Sequence, residues 1–259
     1  MLCPYGWRDR RNLARCPPIP HPPSPIPHPI MPILLFDIDG TLYDGHGVGR
    51  AAIETTLAAR VGRHVDTSAV AFSGRTDPQI FRAILSDTAL VGELDGHLPD
   101  LLAEAMEAYH ADMLVRLPDA RATAIAGAAE AVRRLHGAGL PVGLLTGNLE
   151  PIAYLKVEAV GLERALFPFG AYGSDDESRD ALPAVAAERA AAVLGRPVAT
   201  RELVVVGDTP LDVACARAAG AVAVAVTTGR FSAADLAGAD LVLDSLDGLT
   251  AEVVAGLTG

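Results

Sequence analysis

Three clusters of acidic or polar residues stand directly after apolar runs. Asp37-Ile38-Asp39 follows Ile33-Leu34-Leu35-Phe36, Thr146-Gly147-Asn148 follows Val142-Gly143-Leu144-Leu145, and Asp208 and Asp212 follow Leu203-Val204-Val205-Val206-Gly207. An aspartate is ionised at neutral pH, so it can attack an electrophile without a base, and several together can hold a hard cation. In extended backbone the side chains of Asp37 and Asp39, two apart, point the same way, and Gly40 then permits a tight turn. The two acids share one opening. Each cluster also has a local reading: Asp37 and Asp39 capping a turn, Thr146-Gly147-Asn148 as an ordinary strand-to-helix turn, and Thr209-Pro210-Leu211-Asp212 as a helix start with Thr at the cap. Capping and chemistry are compatible at the last of these.

The elements that must position these residues are legible in the hydrophobic pattern. An apolar run without alternation reads as a strand buried on both faces, which is an odd place to end in carboxylates. From Ala122 onward helix and strand alternate. Helices are expected at 128–136, 151–160 and 182–194 and after Asp208, with strands at 141–145, 166–172, 202–207, 222–226 and 240–243. This rhythm predicts an α/β fold, a Rossmann-like parallel sheet with right-handed crossovers and helices on both faces. All strands of such a sheet end at one edge, where ligands bind near the point of strand-order reversal. The three clusters converge there.

About 80 residues separate Thr41 from the next strand-like run, far more than one crossover helix needs. The stretch carries helical stripes: Ile53, Leu57 and Val61; Ile80, Phe81, Ile84 and Leu85; Leu102, Met106, Tyr109 and Met113. Thr76-Asp77-Pro78 reads as a helix start, and Pro118 closes the region. The expected organisation is a core made of residues 31–43 and 122–259 with an inserted helical domain at 44–121.

Composition narrows the function. With 259 residues and 50% apolar content the chain can bury a core. Its net charge of −11 is opposite to the basic footprint that nucleic acid requires. The three cysteines, Cys3, Cys16 and Cys215, form no metal-type spacing and fit a reducing cytoplasm. No apolar run reaches the ~18 residues of a membrane span. Residues 1–30 are set apart: eight of the thirteen positions from Pro17 to Pro29 are proline, so this tail should run as extended, disordered chain. Met31, directly before the first core strand, raises the expectation that residues 1–30 are not native protein. Among the basic residues 20 are arginine and one, Lys156, is lysine.

Asp37-Ile38-Asp39-Gly40-Thr41, Leu144-Leu145-Thr146-Gly147-Asn148 and Gly207-Asp208-Thr209-Pro210-Leu211-Asp212 together resemble the motifs of the haloacid dehalogenase superfamily of phosphotransferases. The helical insertion resembles the cap of its phosphoglycolate phosphatase-like members. The resemblance covers residues 31–259 and implies a phosphatase that hydrolyses a small organic phosphate monoester through an aspartyl-phosphate on Asp37. It implies Mg²⁺ held by the Asp37 side chain, the Asp39 backbone carbonyl and Asp208, with Asp212 steadying a metal-bound water or a neighbouring ligand. Asp39 would protonate the leaving group and later activate water. Thr146 and the Gly147 N–H would hold phosphoryl oxygens, and Asn148 would orient their loop. A sugar phosphomutase shares these parts and stands as the alternative. A phospho-accepting receiver fits the insertion and Asp37-x-Asp39 less well, and the presence of Asp39 disfavours a carbon–halogen hydrolase. Neither the identity of the ester nor the oligomeric state can be read from the sequence.

Two cations carry further expectations. Arg75, after Gly74, is expected to reach the site from the cap and bind an anionic substrate group, the alternative being a solvated arginine paired with a nearby acid. The family places a lysine before the helix that follows the third strand, and this chain has none there. Arg179 is the expected replacement, the alternative being a salt bridge to Asp175, Asp176 or Asp180. Lys156 is the rival, but it lies about two turns into a helix, where a surface position is expected.

Overall fold

The computed structural model describes residues 31–86, 98–120 and 122–258. The proline-rich tail lies outside the described residues. Six parallel strands form one sheet: β1 (Ile33–Phe36), β4 (Val142–Leu145), β5 (Gly170–Ala171), β6 (Leu203–Gly207), β7 (Val222–Val226) and β8 (Leu241–Leu243). Their order is β5-β4-β1-β6-β7-β8, so the chain builds outward from β1 on one side and then returns to build on the other. That reversal leaves β1 between β4 and β6, with Phe36 facing Leu144 on one neighbour and Val206 on the other. The ends of these three strands carry the three polar clusters.

Burial explains the strand sequences. All four β1 residues are fully buried, and they alternate between two cores: Leu34 and Phe36 belong to one apolar cluster, Ile33 and Leu35 to the other. The fold class read from the sequence, a parallel Rossmann-like sheet, is the observed one. The fifth strand, Gly170–Ala171, is shorter than the expected 166–172, because a 3₁₀ turn at Arg164–Leu166 takes the start of that run; Phe167 and Phe169 between them are buried.

The region between β1 and β4 is helical. It holds α1 (Val48–Val61), α2 (Asp77–Leu85) and α3 (Leu98–Arg116), and α3 packs against both of the others. The expected stripes are the buried ones, with Ile53 and Leu57, Phe81 and Leu85, and Tyr109 and Met113 turned inward. They join the cluster that covers one face of the sheet. The chain leaves and re-enters the sheet domain through a short antiparallel pair, β2 (Tyr43–Asp44) with β3 (Thr123–Ala124). The remaining helices are α4 (Ala128–Gly137), α5 (Glu150–Ala159), α6 (Leu182–Leu194), α7 (Pro210–Ala219) and α8 (Ala251–Thr258). Among the described residues no helix is long and apolar enough to cross a membrane.

Candidate active site

β1 delivers Asp37 into the interior, where its N–H donates to the Val206 carbonyl at 2.8 Å. Three residues later the backbone turns at Gly40, whose φ of +81° suits glycine. Glycine is also needed for space, since a Cβ there would lie 2.4 Å from Asp208 Oδ2. The Thr41 hydroxyl donates to Asp208 Oδ1 at 3.3 Å, tying the first cluster to the third. Asp208 ends β6, and Thr209 caps α7 by accepting the Asp212 N–H at 3.2 Å. Asp212 returns the bond, its Oδ2 accepting from the Thr209 N–H and hydroxyl at 3.0 and 2.7 Å. The helix start and the placement of Asp212 are one structure.

Carboxylate oxygens of Asp37, Asp208 and Asp212 lie within 4.8 Å of one another, all three residues buried. Burial, with Asp212 and Asp39 adding repulsion against the pull of Arg179, pushes Asp37 up to about 6. Burial, followed by Asp37 and Asp212, pushes Asp208 up to about 8. A crowd of oxygen donors that resists its own ionisation fits a hard divalent cation, which favours the ionised forms. Gly40 and Gly229 let the backbone close in on Asp208, since a Cβ at either would lie 2.4 or 1.7 Å from its Oδ2. These acids could therefore hold a divalent metal. The Asp39 side chain stands apart from them and is 52% exposed.

Arg179 lies in a single 3₁₀ turn, Arg179–Ala181, ahead of α6, and is 5% exposed. Its Nη2 meets Asp37 Oδ1 at 3.1 Å and also donates to Asp212 Oδ1, while Nη1 donates to the Gly74 carbonyl at 3.1 Å. Burial alone would lower its pKa; Asp212 and Asp37 more than offset this and leave the guanidinium firmly charged. Its acidic sequence neighbours do not take it. Asp175 pairs instead with Arg189 at 2.6 Å.

Lys156 is not on the surface, which corrects the expectation from its position. It is 4% exposed, and its Nζ reaches Asp39 Oδ1 and Oδ2 at 2.8 and 2.6 Å and Asn148 Oδ1 at 2.6 Å. The reason is geometric. Helical side chains lean toward the N-terminus, so a four-carbon stem two turns into α5 reaches back to the sheet edge. Asn148 Nδ2 donates to Asp39 Oδ2 at 2.7 Å and to Thr146 Oγ1 at 2.8 Å. Asn148 thus ties its own loop to Asp39.

The helical insertion closes over this edge. The Asp77 N–H donates to the Gly147 carbonyl at 2.7 Å, and Asp77 Oδ2 accepts the Leu149 N–H at 2.9 Å. Thr76 caps α2 and its hydroxyl also donates to the Glu177 carbonyl at 2.8 Å. Arg82 forks onto Glu177 at 2.6 and 2.8 Å. Between insertion and sheet lies a cavity of about 520 Å³ lined by Asp37, Asp39, Thr146, Gly147, Asn148, Lys156, Arg179 and Asp208 on the sheet side. Tyr43, Arg50, Phe72, Arg75 and Tyr109 line the other side. Arg75 is exposed at the rim and has no acid partner among the described residues. Asp212 sits behind the wall. Sequence reasoning missed Asp77 as a site residue, because its capping position explained it fully. The only hint for Lys156 was its being the sole lysine.

A family model for haloacid dehalogenase-like hydrolases matches residues 31–220. The chain belongs to that family. No curated protein sequence matches this haloacid dehalogenase-like hydrolase. Solved structures do. CbbY from Rhodobacter sphaeroides, in complex with phosphate, is 20% identical, with a TM-score of 0.68 over 88% of this chain and 100% of that one. A predicted phosphoglycolate phosphatase from Haemophilus somnus 129PT is 16% identical, with a TM-score of 0.65 over 84% and 95%. A HAD family hydrolase from Deinococcus radiodurans R1, with bound phosphate and sodium, is 26% identical, with a TM-score of 0.53 over 89% and 98%.

Proposed function

We propose that this hydrolase is a Mg²⁺-dependent phosphatase acting on a small organic phosphate monoester through an aspartyl-phosphate on Asp37. The observation that carries the reading is the division of the edge: Asp37 clustered with Asp208, Asp212 and Arg179, and Asp39 held apart beside Thr146–Asn148, all facing one cavity except Asp212. The phosphate bound in two of the similar structures supports it. Residues 44–121 act as a cap that closes the cavity to water.

Asp37, Asp208 and the Asp39 carbonyl would hold the ion, and Asp212 would hold a metal-bound water or a neighbouring ligand. When bound, the ion supplies positive charge that lets an anionic nucleophile approach an anionic phosphoryl group. Arg179 adds a permanent positive charge at Asp37. The Asp37 carboxylate forms a bond to phosphorus as the bond to the ester oxygen breaks, and Asp39 gives that oxygen its proton. Thr146 and the Gly147 N–H hold the phosphoryl oxygens. Water then attacks phosphorus while Asp39 takes its proton. The bond to Asp37 breaks, phosphate leaves and both acids return to their starting forms. Arg75, at the rim with no acid partner among the described residues, would meet an anionic group on the ester.

The test is phosphate release from a panel of monoesters with and without Mg²⁺. Release that needs Mg²⁺ and disappears in Asp37→Asn, a change of charge at nearly constant volume, is the expected result. A panel without turnover, or an active Asp37→Asn, would overturn the reading.

A further inference from the structure

Two buried cations hold different acids of the site. Arg179 takes Asp37 and Asp212; Lys156 takes Asp39. We infer that Lys156 is a positioning residue that fixes the Asp39 carboxyl and the Thr146–Asn148 loop as one body, so that proton transfer and phosphate binding occur in register. The inference rests on Asp39 as the acid and base of the proposed reaction.

The ammonium of Lys156 is fully engaged. It has three donors, and its three contacts are Asp39 Oδ1, Asp39 Oδ2 and Asn148 Oδ1. None is left for a phosphoryl oxygen, so Lys156 does not act as a phosphate-binding cation in this arrangement. A lysine can only donate, and Asp39 in the ionised form it has before it takes up its proton can only accept, so together they dictate which way the Asn148 amide faces. Its Nδ2 then bridges Asp39 Oδ2 and Thr146 Oγ1. Lys156, Asp39, Asn148 and Thr146 form a closed network across the sheet edge.

Stability does not explain the pair. Lys156 is 5% exposed at its side chain and Asp39 is 52% exposed, so the ammonium bears the cost of burial while water screens its partner. A pair closed at one end and open toward the cavity leaves the carboxyl within reach of a substrate oxygen. Asp39 also follows a strand end and borders the Gly40 turn, and its side-chain anchors are these two residues. The chain uses arginine at 20 of 21 basic positions. A planar guanidinium fork matches one carboxylate well, whereas a compact ammonium can point its donors at both a carboxylate and an amide.

The experiment compares kcat/KM for p-nitrophenyl phosphate, whose leaving group departs without a proton, with that for glycerol 2-phosphate, whose alkoxide needs one. In Lys156→Met, kcat/KM on the alkyl ester should fall at least about tenfold more than on the aryl ester, part of the factor that a positioned acid supplies. Asp39→Asn should show the same discrimination more strongly, and Lys156→Gln carries the comparison if the methionine variant does not fold. If Asp39→Asn discriminates and neither Lys156 variant does, Lys156 is a structural ion pair and the inference fails while the role of Asp39 stands. An equal loss on both esters in Asp39→Asn overturns both, as does a wild-type protein that hydrolyses neither.

Discussion

Gly229 lies so close to Asp208 that a Cβ added to it would sit 1.7 Å from the Oδ2 oxygen. No real Cβ contact is that short, so Gly229→Ala must displace the carboxylate or the loop that carries Thr228, whose hydroxyl holds the Gly40 carbonyl at 2.7 Å. Neither the strand β6 nor its neighbours need move. The expected outcome is a folded protein whose activity needs a higher Mg²⁺ concentration, read from a Mg²⁺ titration of phosphate release. An unchanged titration would mean that Asp208 is not a ligand.

Metal removal should be visible in stability. Asp37, Asp208 and Asp212 crowd their charges in the interior, and a bound divalent ion relieves that repulsion in the folded state alone. At a hundred times the dissociation constant, binding adds about 2.7 kcal/mol. For a chain of this size that is a rise in Tm of roughly 5–10 °C. Melting curves with Mg²⁺ and with EDTA should differ by this order in wild type and hardly at all in Asp208→Asn. A full shift in the variant places the ion elsewhere.

What the sequence made legible is what depends on local order. The β1, β4 and β6 runs announce buried strands, and an acid or threonine directly after each must emerge at the same sheet edge. Arg179 was reachable as well, since it is the nearest cation before the α6 helix. Lys156 and Asp77 were not. Each has a local reading that satisfies it, a helix surface for one and a helix cap for the other, and its role depends on what α5 and α2 face across the fold. Periodicity says which face of a helix is buried; it does not say which polar group waits at the helix start. The same limit applies to Arg75, which lines the cavity rim with no acid partner among the described residues that would define its task.

Asp77 should make the joint between the helical insertion and the sheet edge sensitive to pH. Burial pushes its carboxyl up to about 6, with Lys156 and the Leu149 N–H pulling the other way. An unfolded aspartate titrates near ~3.9, so between that value and about 6 the folded protein holds more protons than the unfolded one. This group therefore weakens the fold as pH rises through that window, and the penalty is complete above it. Asp77→Asn keeps the shape and an acceptor for Leu149 but cannot ionise. Relative to wild type, the variant should gain ~2 kcal/mol between about pH 4 and about pH 7.5 in urea unfolding, since each tenfold change in proton affinity is worth ~1.4 kcal/mol. A difference that does not vary with pH would place the ionised carboxylate comfortably in the joint.

Arg179 should matter to both stability and turnover, and two substitutions separate the contributions. Its guanidinium joins the buried Asp37 and Asp212 and reaches the half-buried Gly74 carbonyl in the turn before α2. Arg179→Ala leaves two buried carboxylates without their cation, a loss of about 3–5 kcal/mol by comparison with other broken buried pairs. Saturating Mg²⁺ should restore part of that, because the ion takes over some of the charge balance. Arg179→Lys keeps the charge but offers one compact head where a planar fork bridged two acids and a carbonyl. It should recover most of the stability and only part of kcat, since one ammonium cannot hold Asp37 toward the cavity and Asp212 behind it while also bonding Gly74. Urea midpoints and kcat measured together on both variants decide it. If lysine restores kcat fully, only the charge matters and the fork geometry is incidental; if alanine is as stable as wild type, the acids are not both ionised in the folded protein.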